Sequence, residues 1–149
     1  MKIGERIPAF QALDHEGKAV SIDPDELKHP IVIYFYPKDD TPGCTKEACS
    51  FRDEYETFSD ANVEVYGISA DSVEDHRHFR SKHRLPFTLL SDPDNAIRKQ
   101  FGVKGNLLGL LPGRVTFVID ANGTVVHQFN SQLNAVKHVQ ESLDAIAKL

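Results

Sequence analysis

The sequence predicts an α/β fold in which a mixed central β-sheet is flanked by helices and preceded by an N-terminal β-hairpin. Three observations predict it. Short apolar runs rich in β-branched and aromatic residues recur at Ile31 to Phe35, Val63 to Ser69 and Val115 to Ile119, the pattern of strands buried on both faces. Segments with helical spacing separate them. With 149 residues, 40% hydrophobic and 26% charged, the chain has the size and balance of one globular domain, expected over 1–149.

In chain order, Phe10 to Leu13 and Val20 to Ile22 flank Asp14-His15-Glu16-Gly17 and read as the hairpin. The first buried strand is Ile31 to Phe35. Pro42 to about Ser59 reads as one helix, because Ala48, Phe51, Tyr55 and Phe58 follow Cys44 at intervals of four, three, four and three, all on one face. Val63 to Ser69 is the second buried strand. Ser72 to Lys82 is helical in pattern and charged enough to lie on the surface, so His76, His78 and His83 are expected to be solvated. Phe87 to Leu90 reads as a short strand, and Asp92-Pro93 opens a helix that stops near Gly102. Val115 to Ile119 is the third buried strand. The turn Asp120-Ala121-Asn122-Gly123 returns Thr124 to Phe129 as its hairpin partner. From Asn134 onward, Val136, Val139, Leu143 and Ile146 predict a final helix. One stretch fits no element: GVKGNLLGLLPG, residues 102–113. Its glycines and Pro112 predict a loop, and its four leucines either fold back on the core or offer an apolar patch to a partner.

Charge and hydropathy exclude other classes. Lys and Arg total 17 against 22 Asp and Glu, a net charge of −5 with no basic run, which argues against nucleic-acid binding through phosphate neutralisation. No apolar run approaches the roughly 20 residues of a membrane-spanning helix. The opening MKIGERIPAF lacks the apolar core of a secretory signal, so a soluble, cytoplasmic protein is expected.

Cys44 and Cys49 are the two cysteines. They are too few for a disulfide scaffold, and their spacing matches no common zinc finger. Two structural thiols or a redox pair remain. Thr41 suits a helix N-cap and Pro42 the first helical position, which puts Cys44 in the first turn, and Gly43 allows a close backbone approach. Free N–H groups and the helix dipole there favour an anion, so the Cys44 pKa is expected to fall. Five residues on an intact helix separate Cα atoms by about 8.6 Å, beyond the roughly 7 Å that a disulfide tolerates. Joining Cys44 to Cys49 therefore requires the first turns of the helix to unwind. Asp39 and Asp40 read as turn residues, and Glu47 as a minor candidate for contact with nearby N–H groups or Arg114.

The segment YFYPKDDTPGCTKEACSFRDEY resembles the peroxiredoxins, and within them the peroxiredoxin Q or bacterioferritin comigratory protein group. The family pattern of proline, three residues, threonine, two residues and cysteine falls on Pro37, Thr41 and Cys44. The group's second cysteine falls on Cys49, and the family arginine on Arg114 in GRVTFVID. The resemblance runs over nearly the whole chain and implies a thioredoxin-like fold. It also implies a thiol peroxidase acting on hydrogen peroxide and organic hydroperoxides, with no metal or organic cofactor. Cys44 would be the peroxidatic nucleophile and Cys49 would resolve its sulfenic acid as an intramolecular disulfide. Thr41, Gly43, Cys44 and Arg114 would bind the peroxide, with the Thr41 proton directed toward the thiolate, and Pro37 would shield the site. Thioredoxin or a similar dithiol protein would be the reductant. An internal bridge needs no second subunit, which favours a monomer, with the leucine-rich 107–111 stretch as a dimer contact otherwise. A thioredoxin-fold redox sensor that uses a Cys44–Cys49 switch to alter a partner surface is the alternative. A disulfide reductase is disfavoured because that chemistry usually sets its cysteines two residues apart.

Overall fold

The computed structural model describes residues 1–105 and 112–149. Seven strands form one sheet in the order β2-β1-β5-β4-β3-β6-β7: β1 Phe10–Asp14, β2 Ala19–Ile22, β3 Ile31–Phe35, β4 Glu64–Ser69, β5 Thr88–Ser91, β6 Val115–Ile119 and β7 Val125–Asn130. Strands β3, β4 and β5 run parallel, whereas β6, β7 and β1 join antiparallel. The helices are α1 Pro42–Asp53, α2 Tyr55–Asp60, α3 Val73–His83, α4 Ala96–Gln100 and α5 Ala135–Ile146. None of those described is long and apolar enough to cross a membrane.

Alternation along the central strands divides the core in two. Ile31, Ile33 and Phe35 of β3 face Val115, Phe117 and Ile119 of β6, with Phe10, Ile97 and Phe101 against them. Val32, Tyr34 and Tyr36 face the other way, against Cys44, Ala48 and Phe51 of α1 and Phe58 of α2. Tyr34 stacks on Phe51 at 4.6 Å between centroids, which seats α1 on the sheet. Gly67, opposite Tyr34 in the β3–β4 pair, leaves room for this ring: a Cβ there would lie 2.8 Å from its Cζ.

Two expected elements are corrected. The helix from Pro42 is interrupted at Glu54 (φ −103°, ψ 6°), so α1 and α2 are separate, although Cys44, Ala48, Phe51 and Phe58 all remain buried as expected. The segment from Asp92 begins as a turn. Asn95 takes a left-handed φ of 56°, and the Asp92 carboxylate accepts from the N–H groups of Ile97 and Arg98, delaying α4 to Ala96. The final helix forms as expected, as α5 after Asn134, with Val139 buried and Leu143 and Ile146 packed partly buried against the core, although Val136 is 45% exposed. The leucines of 107–111 lie outside the described residues.

Candidate active site around Cys44

Strand β3 ends at Phe35, and the chain turns through Tyr36 to Thr41 before entering α1. Thr41 is the N-cap residue (φ −89°, ψ 153°) and Pro42 the first helical residue, as expected. The first bond of the helix runs from the Thr45 N–H to the Thr41 carbonyl at 2.8 Å. The N–H groups of Gly43 and Cys44 therefore precede the helical ladder, at the positive end of the helix dipole. The Thr41 hydroxyl departs from expectation: it does not cap the helix but donates to the Lys38 carbonyl at 2.8 Å. Its proton is thus committed to the loop instead of the sulfur, and its oxygen remains an acceptor. Pro37 is half-buried in the same loop.

Cys44 is buried at 1% exposure, and Cys49 on the same intact helix is half-buried. Both thiols are free. Arg114, immediately before β6, is 4% exposed. Its Nη2 donates to Cys44 Sγ at 3.3 Å, its Nη1 to Glu47 Oε1 at 2.7 Å and its Nε to the Gln132 carbonyl at 3.1 Å. The fork is therefore held on three sides. Gly43 makes the approach feasible, since a Cβ there would lie 3.1 Å from Arg114 Nη2. Burial opposes the Arg114 charge, but Glu47 and Cys44 together raise its pKa above the ordinary arginine value.

Glu47 proves more central than the sequence suggested. It is completely buried, three residues after Cys44 on the same helical face. Burial pushes its carboxyl up to about 8 against the pull of Arg114. Its Oε2 has no hydrogen-bond partner among the described residues and lies 3.5 Å from His138 Nδ1. His138 is also fully buried, with Nε2 donating to the Ser131 carbonyl at 2.8 Å and Nδ1 2.8 Å from the Thr116 hydroxyl. Burial, then the nearby Arg114 charge, lowers its pKa to about 4. The ring is therefore neutral at pH 7, and its Nδ1 accepts from Thr116.

A second buried polar group braces the loop on its other side. Asp39 accepts from the Tyr36 hydroxyl at 2.5 Å and lies 2.6 Å from His76 Nδ1; His76 Nε2 lies 3.0 Å from the Leu90 carbonyl. His76 is thus buried, not solvated, and Asp39 is more than a turn residue, because each supplies the partner that the other's burial requires. His78 is exposed as expected, and His83 is half-buried. Asp40 adopts a left-handed φ of 61° and is bound by Lys82 at 3.0 Å. Asp39, Asp71 and His76 place potential metal ligands within 4.8 Å of one another. Their atoms are already engaged, with Asp71 Oδ2 accepting from the Asp39 N–H and the Ser69 hydroxyl.

A cysteine in the first turn of a helix, set on a mixed sheet and gripped by a buried arginine, defines a thiol-dependent peroxidase of thioredoxin-like fold. Comparison with known proteins bears this out. Residues 3–128 match the AhpC/TSA family. Peroxiredoxin Q of Sedum lineare, a chloroplastic protein, is 51% identical over 146 residues, covering 98% of this chain and 78% of that one. The peroxidoxin BcpB structure from Mycobacterium tuberculosis superposes with a TM-score of 0.90 at 36% identity, over 100% of this chain and 98% of that one. The bacterioferritin comigratory protein of Xanthomonas campestris, studied for alkyl peroxide reduction, gives 0.80 at 32% identity, over 93% and 92% of the two chains. The chain belongs to the AhpC/TSA family of peroxiredoxins and, within it, to the peroxiredoxin Q group.

Proposed function

We propose that Cys44 is the peroxidatic nucleophile, that Cys49 resolves it, and that the substrates are hydrogen peroxide and organic hydroperoxides. The observation that carries this reading is the Arg114 guanidinium seated 3.3 Å from Cys44 Sγ at the first turn of α1. The thiolate attacks one peroxide oxygen and the O–O bond breaks. The sulfur takes up one oxygen as sulfenic acid, and the other departs and is protonated to water or an alcohol. Arg114 and the leading N–H groups of α1 supply donors where negative charge shifts from sulfur to the departing oxygen. The Thr41 oxygen is free to accept the peroxide proton, and Pro37 restricts water. The Cys49 thiol then displaces hydroxide from the sulfenic acid, releasing water and forming the disulfide. That step requires α1 to open, because its intact geometry holds the two cysteines apart. Thioredoxin or a similar dithiol protein returns both thiols by exchange. The bridge is internal, which favours a monomer.

Stopped-flow peroxide reduction with intact-protein mass spectrometry tests the assignment. C44S is expected to lose turnover at least a thousandfold. C49S is expected to consume one equivalent of peroxide and gain one oxygen, without recycling through a disulfide. Full turnover by C44S would assign the nucleophile elsewhere. Full recycling by C49S would remove Cys49 from the cycle and leave Cys44 in place.

A further inference from the structure

We propose that Arg98 is a positioning residue for the peroxide reaction: a buried guanidinium clamp that sets the Pro37 loop and Arg114 in register. The proposal rests on Cys44 being the nucleophile and Arg114 its cation, and is independent of how the oxidised sulfur is resolved.

Arg98 is 6% exposed on α4, outside the cluster that touches Cys44 directly. Its Nη1 donates to the Gly113 carbonyl at 2.6 Å and its Nη2 to the Tyr36 carbonyl at 2.9 Å. Each acceptor belongs to the residue immediately before a site residue, Tyr36 before Pro37 and Gly113 before Arg114. A peptide unit is planar, so fixing a carbonyl also fixes the direction in which the next residue departs. One side chain thus orients both peptides that lead into the site. It bridges positions 77 apart in the sequence, since 113 − 36 = 77.

The clamp is itself held rigidly. The Asp92 carboxylate accepts from the backbone N–H of Arg98 at 3.0 Å, and the guanidinium carbon sits 5.6 Å over the Phe35 ring. Burying a cation is costly unless its partners compensate. Among the described residues, the hydrogen-bond partners of this guanidinium are two main-chain carbonyls. Asp92 directs both of its carboxylate oxygens to backbone N–H groups. A methionine would fill the same apolar space at lower desolvation cost. What arginine adds is a planar fork that reaches two acceptors at once, which the single ammonium of lysine does not reproduce.

The test is the second-order rate constant for Cys44 oxidation in R98M, R98K, R114M and the double variant R98M/R114M, with thermal melts confirming that each is folded. R98M is expected to lose on the order of tenfold to a hundredfold, as small misplacements of catalytic groups do. R98K should fall between R98M and the parent. Because one of the clamp's two arms acts through Arg114, R98M should cost severalfold less in the R114M background than in the parent, a non-additivity that a general loss of packing does not produce. A parent-like rate in R98M overturns the clamp, as does an R98M loss that is undiminished when R114M is present. Should R98M not fold, R98K takes its place, and a parent-like R98K rate overturns the proposal. Turnover by C44S would instead overturn the nucleophile on which the clamp depends, so the two failures are told apart by that control.

Discussion

The two faces of the sheet are built from the same strands yet hold opposite kinds of interior. One face is nearly all hydrocarbon: Phe101 lies within 5.6 Å of Phe10, 5.2 Å of Phe35 and 5.5 Å of Phe117, centroid to centroid, with Ile31, Ile33 and Ile119 around them. Its one buried guanidinium among the described residues, Arg98, sits over Phe35. The other face, one residue out of phase along β3 and β6, encloses Cys44, Glu47, Thr116 and His138 beside its aromatic rings. Burial of apolar surface stabilises the first face at any pH. On the second, burial sets the protonation of Glu47 and His138, so its stability depends on pH. Segregating the two lets this side hold a buried carboxyl oxygen that has no hydrogen-bond partner among the described residues without the whole core depending on it.

The largest effect tests the hydrocarbon face. Phe101→Ala should cost about 3–5 kcal/mol in a urea titration, with similar losses at pH 7 and pH 5. A loss that changed strongly with pH would erase the distinction between the faces. The next effect belongs to His138. Its folded pKa of about 4 lies below the ordinary 6.5, so it contributes stability that is complete above 6.5 and disappears as pH falls toward 4. This amounts to about 3 kcal/mol, and H138N should show a correspondingly shallower decline in urea midpoint over that interval. The smallest effect is at Glu47. Its folded pKa of about 8 lies above the ordinary 4.5, so its contribution is complete below 4.5 and is lost as pH rises through 8. Glu47→Gln keeps an oxygen for Arg114 without an ionisable proton. The same conversion puts the cost of ionising the buried carboxyl at about 5 kcal/mol, but the amide forfeits part of this because its NH2 group meets Arg114 without an acceptor, so Glu47→Gln should exceed the parent by about 2 kcal/mol at pH 9 and retain the peroxide rate within about tenfold. Equal stability of the two proteins at pH 9 would mean that Arg114 fully offsets the burial of the carboxylate.

Much of this architecture was legible in the residues. The apolar runs located β3, β4 and β6, and the four-and-three spacing after Cys44 identified the face that α1 and α2 bury. Arg114 and Thr41 were found by resemblance, since an arginine before a strand carries no periodic signal. What stayed hidden has a common physical cause. Asp39, His76, Arg98 and His138 are polar residues that spacing rules assign to solvent, and Glu47, though a candidate contact of Arg114, carried no sign of its complete burial. Each is buried because its partner comes from a distant part of the chain, and a partner 67 residues away, as for Glu47 and Arg114, has no local signature. The break at Glu54 was equally silent, because the apolar stripe continues across it. The Thr41 hydroxyl differed because the Lys38 carbonyl, three residues back, competes for its proton.

The joint at Glu54 gives the molecule a firebreak. Disorder that starts at Pro42 and spreads along α1 meets a segment that already begins its own hydrogen bonding, with the Glu54 carbonyl accepting from Thr57 and Phe58. Behind it, Phe58 stays wedged in the sheet and Tyr55 stays tied to Glu64. Only the turns that carry Cys44 and Cys49 have to open for the two sulfurs to meet, and Phe51, stacked on Tyr34 beyond them, belongs to the buried core.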